Sequence, residues 1–281
     1  MIFEKWQALG NDYLILEGDE LPVGLTPDRV KLICDPHLGL GGDGLVLVEP
    51  SEEPDAIASL RIFNPDGSEA ELSGNGVRQA VLYLRLRGWA STDTFTVETK
   101  AGPITPTILE DGRCSVAMGA ASTVSVDYPD GSDDGRGTVK AGGREWSFRH
   151  VSIGNPQCAI EVDDDLASLD LKSIGPEIEN SAIFPNRTNV SFYRSSGSQV
   201  RARIFERGVG ETLSSGTGAI GAAIAAHLDG APPSLEVELD GGRLEVDVSG
   251  ELEVTLTGPA EPVFSGQTSP EFLRRLAETQ D

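Results

Sequence analysis

Arg61-Ile-Phe-Asn-Pro-Asp-Gly-Ser-Glu-Ala-Glu-Leu-Ser-Gly-Asn-Gly76 and Arg203-Ile-Phe-Glu-Arg-Gly-Val-Gly-Glu-Thr-Leu-Ser-Ser-Gly-Thr-Gly218 align without a gap, 142 residues apart. Self-similarity at a fixed offset dictates architecture before any local pattern does. The two stretches share Arg-Ile-Phe, Glu69 with Glu211, and Ser73-Gly74-x-Gly76 with Ser215-Gly216-x-Gly218. A second echo comes at an offset of 144: Leu9-Gly10-Asn11 leads into the apolar Tyr13-Leu-Ile-Leu16, and Ile153-Gly154-Asn155 leads into Cys158-Ala-Ile160. Chance likeness of a glycine-rich stretch accounts poorly for a gapless match with a second echo. Duplication and fusion of a unit of about half the 281 residues is the simpler reading.

Both copies follow one local plan. A β-rich segment (Leu60 to Phe63; Val200 to Phe205) runs into a polar glycine-containing loop, and a helix begins at Ser-Gly-x-Gly. The first helix places Val77, Ala80, Val81 and Leu84 on one face; the second, Ala219 to Leu228, is apolar nearly all round and belongs in a core. Gly88 and Gly230 stand at matching positions after the helices, as C′ glycines do. Short strands are expected at 13–16, 45–48, 95–98, 115–118, 189–192, 235–239, 244–248 and 252–256, separated by Gly, Pro and Asp turns. Residues 127–143 read as a loop or hairpin tip, and Ser269-Pro270-Glu271 opens a short C-terminal helix. The expected fold is α+β: two pseudo-symmetric lobes, each a curved, mostly antiparallel sheet wrapped around a central helix. The expected lobes are 1–118, with 264–281 packing back on it, and 119–263.

Composition excludes several functions. With 45 acidic and 22 basic residues the net charge is −23, which repels nucleic acid and anionic lipid. The acidity fits solubility or a salty cytoplasm and carries no catalytic message. No run of roughly 18 apolar residues is present to span a bilayer, and the start, Met1-Ile-Phe-Glu-Lys-Trp6, lacks the pattern of a signal peptide. A cytoplasmic protein is expected. Three dispersed cysteines (Cys34, Cys114, Cys158) and three dispersed histidines argue against a disulfide framework and against a metal site.

A lone Ser before Gly at a helix start is ordinarily a cap. Two in equivalent places of a duplicated fold suggest more. Lobes related by a pseudo-two-fold axis bring equivalent loops face to face, with both helix N-termini aiming N–H groups and positive dipole ends at one cleft. A carboxylate is the natural occupant; neither loop continues into Gly-Lys-Ser/Thr, so a P-loop is excluded. Gly39-Leu-Gly41-Gly-Asp-Gly44 matches a dinucleotide fingerprint formally. It is followed by the β-like Leu45-Val-Leu-Val48 rather than by a helix, so a nicotinamide cofactor is rejected.

The chain resembles the diaminopimelate epimerase family along its whole length. The likeness is carried in order by Leu9-Gly-Asn-Asp12, Phe63-Asn-Pro-Asp-Gly-Ser-Glu-Ala70, Gly74-Asn-Gly76, Gly154-Asn155-Pro156, Asn189-Val190, Glu206-Arg207-Gly-Val-Gly-Glu-Thr212 and Gly216-Thr-Gly218. The resemblance implies a cofactor-independent isomerase of lysine biosynthesis, a homodimer, that converts LL- to meso-diaminopimelate with two opposed cysteines as acid and base. It also implies that Asn64, Asn155, Asn189 and Arg207 hold the distal carboxylate. Asn11, Glu206 and the backbone at Gly74-Asn75 and Gly216-Thr217 would hold the reacting end. Taken singly, each Asn reads as a turn or cap residue and Arg207 as a surface ion pair.

The departures fall on one chemistry. Ser73 and Ser215 stand where the resemblance implies the two catalytic cysteines, and Gln157 stands where it implies a histidine assisting a thiolate. A serine hydroxyl is not appreciably ionised near neutrality without a strong partner. Three readings stay open: an epimerase in which another group such as Glu206 does the thiolate's work; a Cys-to-Ser variant made to trap substrate, against which Gln157 argues; or a diverged isomerase, lyase, cyclase or non-catalytic amino-acid binder. The catalytic candidates are Ser73, Ser215 and Glu206.

Overall fold

Parallel neighbours in a sheet cannot be joined by a hairpin and need a crossover connection, usually a helix. That rule fixes where helices fall in this protein. The structure is a computed structural model that describes residues 1–163 and 165–279. Asp164, in the expected second lobe, and Gln280 and Asp281, in the expected 264–281 segment, lie outside the described residues.

The chain divides into two units, Met1–Val116 with the chain from Gly258 onward, and Ala117–Thr257. The sheet of the first unit has the order Glu261–Gln267, Ile2–Ala8, Asn11–Glu17, Leu45–Glu49, Ala56–Phe63, Thr96–Thr99, Gly102–Ile104, and Glu69–Ala70 also pairs with Ala56–Phe63. Two neighbouring pairs are parallel, Asn11–Glu17 with Leu45–Glu49 and Ala56–Phe63 with Thr96–Thr99. Helix α1 (Pro27–Cys34) lies in the first crossover and α2 (Gly74–Leu86) in the second.

The second unit repeats this plan. Its order runs Arg136–Ala141, Arg144–Ser152, Pro156–Glu161, Asn189–Ser196, Gln199–Glu206, Ser234–Leu239, Gly242–Ser249, Glu253–Gly258 and on to Cys114–Ala120, with Gly210–Thr212 against Gln199–Glu206. Pro156–Glu161 runs parallel to Asn189–Ser196, and Gln199–Glu206 to Ser234–Leu239. Helices α3 (Leu171–Glu179) and α4 (Gly216–Leu228) fill the two crossovers. The fold is therefore α+β, and the strands from Arg144–Ser152 to Gly242–Ser249 follow the same order, with the same pair of crossovers, as those from Ile2–Ala8 to Gly102–Ile104.

Each sheet curves around its second helix. α2 packs on the strands Ile2–Ala8 to Ala56–Phe63, and α4 on Arg144–Ser152 to Gln199–Glu206. The two helices bury themselves differently. α4 is sealed on all sides by Ala219, Ile220, Ala222, Ala223, Ile224 and Ala225, as its composition predicts. α2 buries the expected Val77, Ala80, Val81 and Leu84, but also Asn75, Arg78 and Gln79, so its apolar face is only part of its contact surface. Gly88 and Gly230 end the helices in the left-handed region, at φ of 80° and 110°.

The other face of each sheet is covered by the first crossover helix. In the first unit Leu14 and Leu16 pack with Val30 and Ile33 of α1. They are joined by Leu276 of α5 (Pro270–Glu278), a helix capped by Ser269. In the second unit Cys158 and Ile160 pack with Ile174 and Ile178 of α3. The chain rejoins the first unit at Gly258 rather than at the expected 264, because the whole strand Glu261–Gln267 pairs with Ile2–Ala8. The other boundary falls at Val116, inside the strand Cys114–Ala120, rather than at residue 118.

The stretch 127–143 contains a strand, Arg136–Ala141, and only its end is a tip. Ala141 pairs with Arg144, so Gly142 and Gly143 form a two-residue turn. Both have positive φ (60° and 74°), as a type I′ turn requires. Among the described residues no helix is long and apolar enough to cross a membrane.

Candidate active site

The first N–H groups of a helix have no partner within it, and a side-chain oxygen at the N-cap satisfies one of them. Ser73 and Ser215 do this in nearly the same conformation, with φ, ψ of −133°, 117° and −136°, 120°. Ser73 Oγ accepts the Gly76 N–H at 3.1 Å, and Ser215 Oγ accepts the Gly218 N–H at 3.2 Å. Both serines are caps. What separates them is where the hydroxyl proton goes.

In the second unit it goes to a carboxylate. Ser215 Oγ donates to Glu206 Oε2 at 2.9 Å, and Thr212 Oγ1 donates to Glu206 Oε1 at 2.8 Å. Glu206 ends the strand Gln199–Glu206, and the loop that follows turns back at Gly210–Thr212, bringing Thr212 and Ser215 onto the carboxylate. Asn155 Nδ2 donates to Thr217 Oγ1 at 3.3 Å, in the first turn of α4, and Gln157 Nε2 donates to Asn155 Oδ1 at 2.6 Å. Asn189 Oδ1 accepts the Arg207 N–H at 2.8 Å, and its Nδ2 donates to the Pro156 carbonyl at 3.1 Å. The Arg207 guanidinium donates to the Asn186 carbonyl at 2.9 Å, and among the described residues no carboxylate pairs with it. Every expected site residue of this unit therefore belongs to one connected region around the first turn of α4: Asn155, Asn189, Glu206, Arg207, Ser215, Gly216 and Thr217.

In the first unit the proton of Ser73 has a phenol beside it. Tyr13 Oη and Ser73 Oγ lie 3.2 Å apart, and either can donate. Asn11 Oδ1 accepts from Asn75 Nδ2 at 2.9 Å, and Asn11 Nδ2 donates to Asp43 Oδ2 at 3.2 Å. Gly74 and Asn75 form the buried first turn of α2. Burial pushes the Asp43 carboxyl up, opposed by the Asp12 N–H that it accepts. Asn64 stands apart from this network: its Nδ2 donates to Ser68 Oγ at 2.9 Å within its own turn.

Sequence reasoning did not reach three residues here. Gln79 accepts the Tyr13 N–H at 3.1 Å and donates to the Asn11 carbonyl at 3.0 Å, tying α2 to the strand Asn11–Glu17. Arg78 is wholly buried; it donates to the Gly74 carbonyl at 3.0 Å and to Asn75 Oδ1 at 2.7 Å, while its Nε finds no partner among the described residues. Burial pulls its pKa down to about 10, so it remains a cation at neutral pH, and among the described residues no carboxylate compensates it. It adds positive charge at the helix end that already carries the positive pole. The third is Tyr13 itself.

The family profile described as diaminopimelate epimerase matches residues 3–124 and 149–263. The chain is 39% identical over 255 residues to a diaminopimelate epimerase of Synechococcus sp., covering 87% of this chain and 89% of that one. It is 39% identical over 260 residues to a diaminopimelate epimerase of Ralstonia nicotianae, covering 89% of each. Among solved structures, a hydroxyproline epimerase from Agrobacterium vitis with bound trans-4-hydroxy-L-proline has a TM-score of 0.71 at 15% identity, covering 97% of this chain and 94% of that one. A Bacillus anthracis phenazine biosynthesis protein of the PhzF family has a TM-score of 0.63 at 21% identity, covering 96% and 99%. At these identities the structural likeness is one of fold.

The cysteines offer no substitute for the missing thiols. All three are buried. Burial, with Asp12 and Asp43 adding to it, pushes the Cys34 thiol up to about 12; burial alone pushes Cys114 up to about 12 and raises Cys158 well above its usual value. Cys158 neighbours Gln157 in sequence, but alternation along the strand turns it to the opposite face, into the core under α3. Since only the thiolate is nucleophilic, none of the three should react with iodoacetamide in the native protein at pH 7.5, and all three should react after unfolding. Rapid native labelling at any of them, read by mass spectrometry, would return thiol chemistry to consideration.

Proposed function

This chain belongs to the diaminopimelate epimerase family, and from that premise we propose that it inverts one Cα of LL-diaminopimelate to give the meso form, without a cofactor and with serines in place of thiols. The observation that carries this reading is the 2.9 Å hydrogen bond from Ser215 to the Glu206 carboxylate. A hydroxyl alone is a poor base for a carbon acid, but one whose proton is already directed at a carboxylate can accept a proton from carbon as it passes its own to the partner. Glu206 is then the base and Ser215 the relay.

The charge that develops on the substrate must be met as the Cα–H bond breaks. The first turns of α2 and α4 supply backbone N–H groups and the positive ends of two helices, which stabilise an anion forming on the α-carboxylate. In this proposal the reacting end is held by Asn11, Glu206 and the turns at Gly74-Asn75 and Gly216-Thr217. The distal carboxylate is held by Asn64, Asn155, Asn189 and Arg207. Arg207 suits that task because its planar fork binds a carboxylate with two parallel bonds and its backbone is anchored by Asn189. Asn64 would have to exchange its bond to Ser68 for the substrate. Ser73 serves the other face of Cα.

The proposal assigns the protein to lysine biosynthesis in the cytoplasm, with a small amino acid as its partner and neither nucleic acid nor membrane. We also infer a homodimer. The strand Glu261–Gln267 forms one edge of its sheet and exposes Val263 and Phe264, and Leu86 is exposed in the same unit. An uncovered apolar edge is an aggregation hazard unless something pairs with it, and a second copy of the same edge satisfies that need by symmetry.

Solvent deuterium should enter Cα of diaminopimelate in the presence of the protein, and Glu206→Gln should slow the exchange by roughly 10²–10⁴-fold. Binding without exchange would instead identify a non-catalytic amino-acid binder, and absence of binding would point to a diverged isomerase, lyase or cyclase acting on another substrate. Arg207→Ala should weaken binding about tenfold to a hundredfold, as loss of charge-assisted hydrogen bonds does; unchanged affinity in calorimetry removes Arg207 from the clamp. Light scattering should report a dimer that Phe264→Glu converts to a monomer, and a monomeric parent protein ends the dimer inference.

A further inference from the structure

We propose that Tyr13 is the proton source for the Ser73 half of the site, so that the two halves work as an unlike pair: carboxylate and serine on one side, phenol and serine on the other. The inference rests on the epimerase reading above and deepens it. Inversion needs a proton delivered to the face opposite the one deprotonated. Ser73 cannot draw on a carboxylate for this. The residue matching Glu206 in the first copy is Asn64, whose amide is engaged with Ser68, and among the described residues Ser73 hydrogen-bonds only to Tyr13 and the Gly76 amide. A phenol, with an ordinary pKa near 10, is a far stronger acid than an aliphatic alcohol, so in the Tyr13–Ser73 pair the transferable proton originates on the phenol.

The pair is held in place from several sides. Tyr13 is buried, and its main-chain N–H is fixed by Gln79 of the helix that Ser73 caps. Its ring lies so close to Gly44 that a Cβ there would stand 2.3 Å from Cε1. Any residue but glycine at position 44 would displace the ring. The uncompensated Arg78 cation, hydrogen-bonded to Gly74 and Asn75 beside Ser73, favours an anion at this end of the helix once the proton has left. In the second copy the residue matching Tyr13 is Gln157, which can neither supply nor take a proton at neutral pH.

The protons balance without a further reactant. The Cα–H bond breaks, and its electron pair is delocalised into the substrate carboxylate. The proton passes to Ser215 Oγ while the Ser215 proton moves to Glu206. The pair then forms a new bond to the Ser73 proton on the other face, and Ser73 Oγ takes the Tyr13 proton. Glu206 ends protonated and Tyr13 ends as phenolate; exchange with water restores both, and the reverse reaction runs the same steps backward.

The test is deuterium exchange into diaminopimelate catalysed by the full chain carrying Tyr13→Phe, in the parent and in a Ser73→Cys background. In the parent, Tyr13→Phe should lower kcat by roughly 10²–10⁴-fold, leave KM nearly unchanged and displace the alkaline limb of the kcat–pH profile upward. In the Ser73→Cys background the thiol carries its own acidic proton, and Tyr13→Phe should cost no more than about twofold, the limit for uncoupled sites. Equal losses in both backgrounds would mean that Tyr13 only packs, and no loss in either would mean that it is idle; each overturns the proposal. Fluorotyrosine at position 13 keeps every atom of the pair while acidifying the phenol, so the alkaline limb should move to lower pH; a limb that does not move also overturns it. A parent protein that exchanges no deuterium overturns the epimerase reading itself, whereas intact exchange with an idle Tyr13 overturns only this inference.

Discussion

At Ser73 and at Ser215 the hydroxyl oxygen is committed to the N–H three residues ahead in the helix that it begins. Each side chain is left with a single proton and little freedom in where to send it. The fold sets up this constraint. Ala56–Phe63 and Gln199–Glu206 each have a parallel neighbour that comes later in the chain, so each must be followed by a crossover helix. The start of that helix is a cluster of unpaired donors facing away from the sheet's hydrogen bonds. On the proposed mechanism, capping chemistry and reaction chemistry fall on the same two atoms.

Each unit carries one such end, and the two units differ around it. Glu206 answers to Asn64, Thr217 to Asn75, Gln157 to Tyr13, Gly221 to Gln79 and Ile220 to Arg78. The exchanges are coupled by volume as well as by charge. In the first unit Gln79 reaches from the helix to the strand. In the second, Gln157 lies so near the helix that a Cβ at Gly221 would sit 2.8 Å from it. A long side chain on one element requires a short one on the other, and the two units solved that in opposite directions. The result is an anionic partner for one serine and a phenol near a buried cation for the other.

The repeat made the α2 and α4 halves of the fold legible, because loop, cap, apolar helix and C′ glycine recur in order. It did not reveal α1 or α3. α1 is only eight residues long and α3 carries Pro176 in its interior, so neither offers a sustained helical period. The edge strand Arg136–Ala141 was hidden by its acidic, glycine-rich surroundings, although Gly142-Gly143 marks its turn. At the site, the residues of the loop motifs were readable as a set. Tyr13, Arg78 and Gln79 were not, because each sits in a segment whose apolar neighbours explain it as core. Asn11–Glu17 is buried on both faces, which erases the alternation that would have singled out the tyrosine as pointing toward the helix. The stray polar residues Arg78 and Gln79 among Val77, Ala80 and Val81 were the available signal.

The burial of Cys34, Cys114 and Cys158 has a bearing on where such a protein can work. Peroxide and disulfide exchange attack thiolates that solvent can reach, and they carry sulfur up an oxidation ladder from which its higher rungs do not return. A site built from hydroxyl, carboxylate and phenol presents no sulfur to such attack. On the proposed mechanism the chain needs no reductant to keep its reacting groups intact, and its three thiols are all buried.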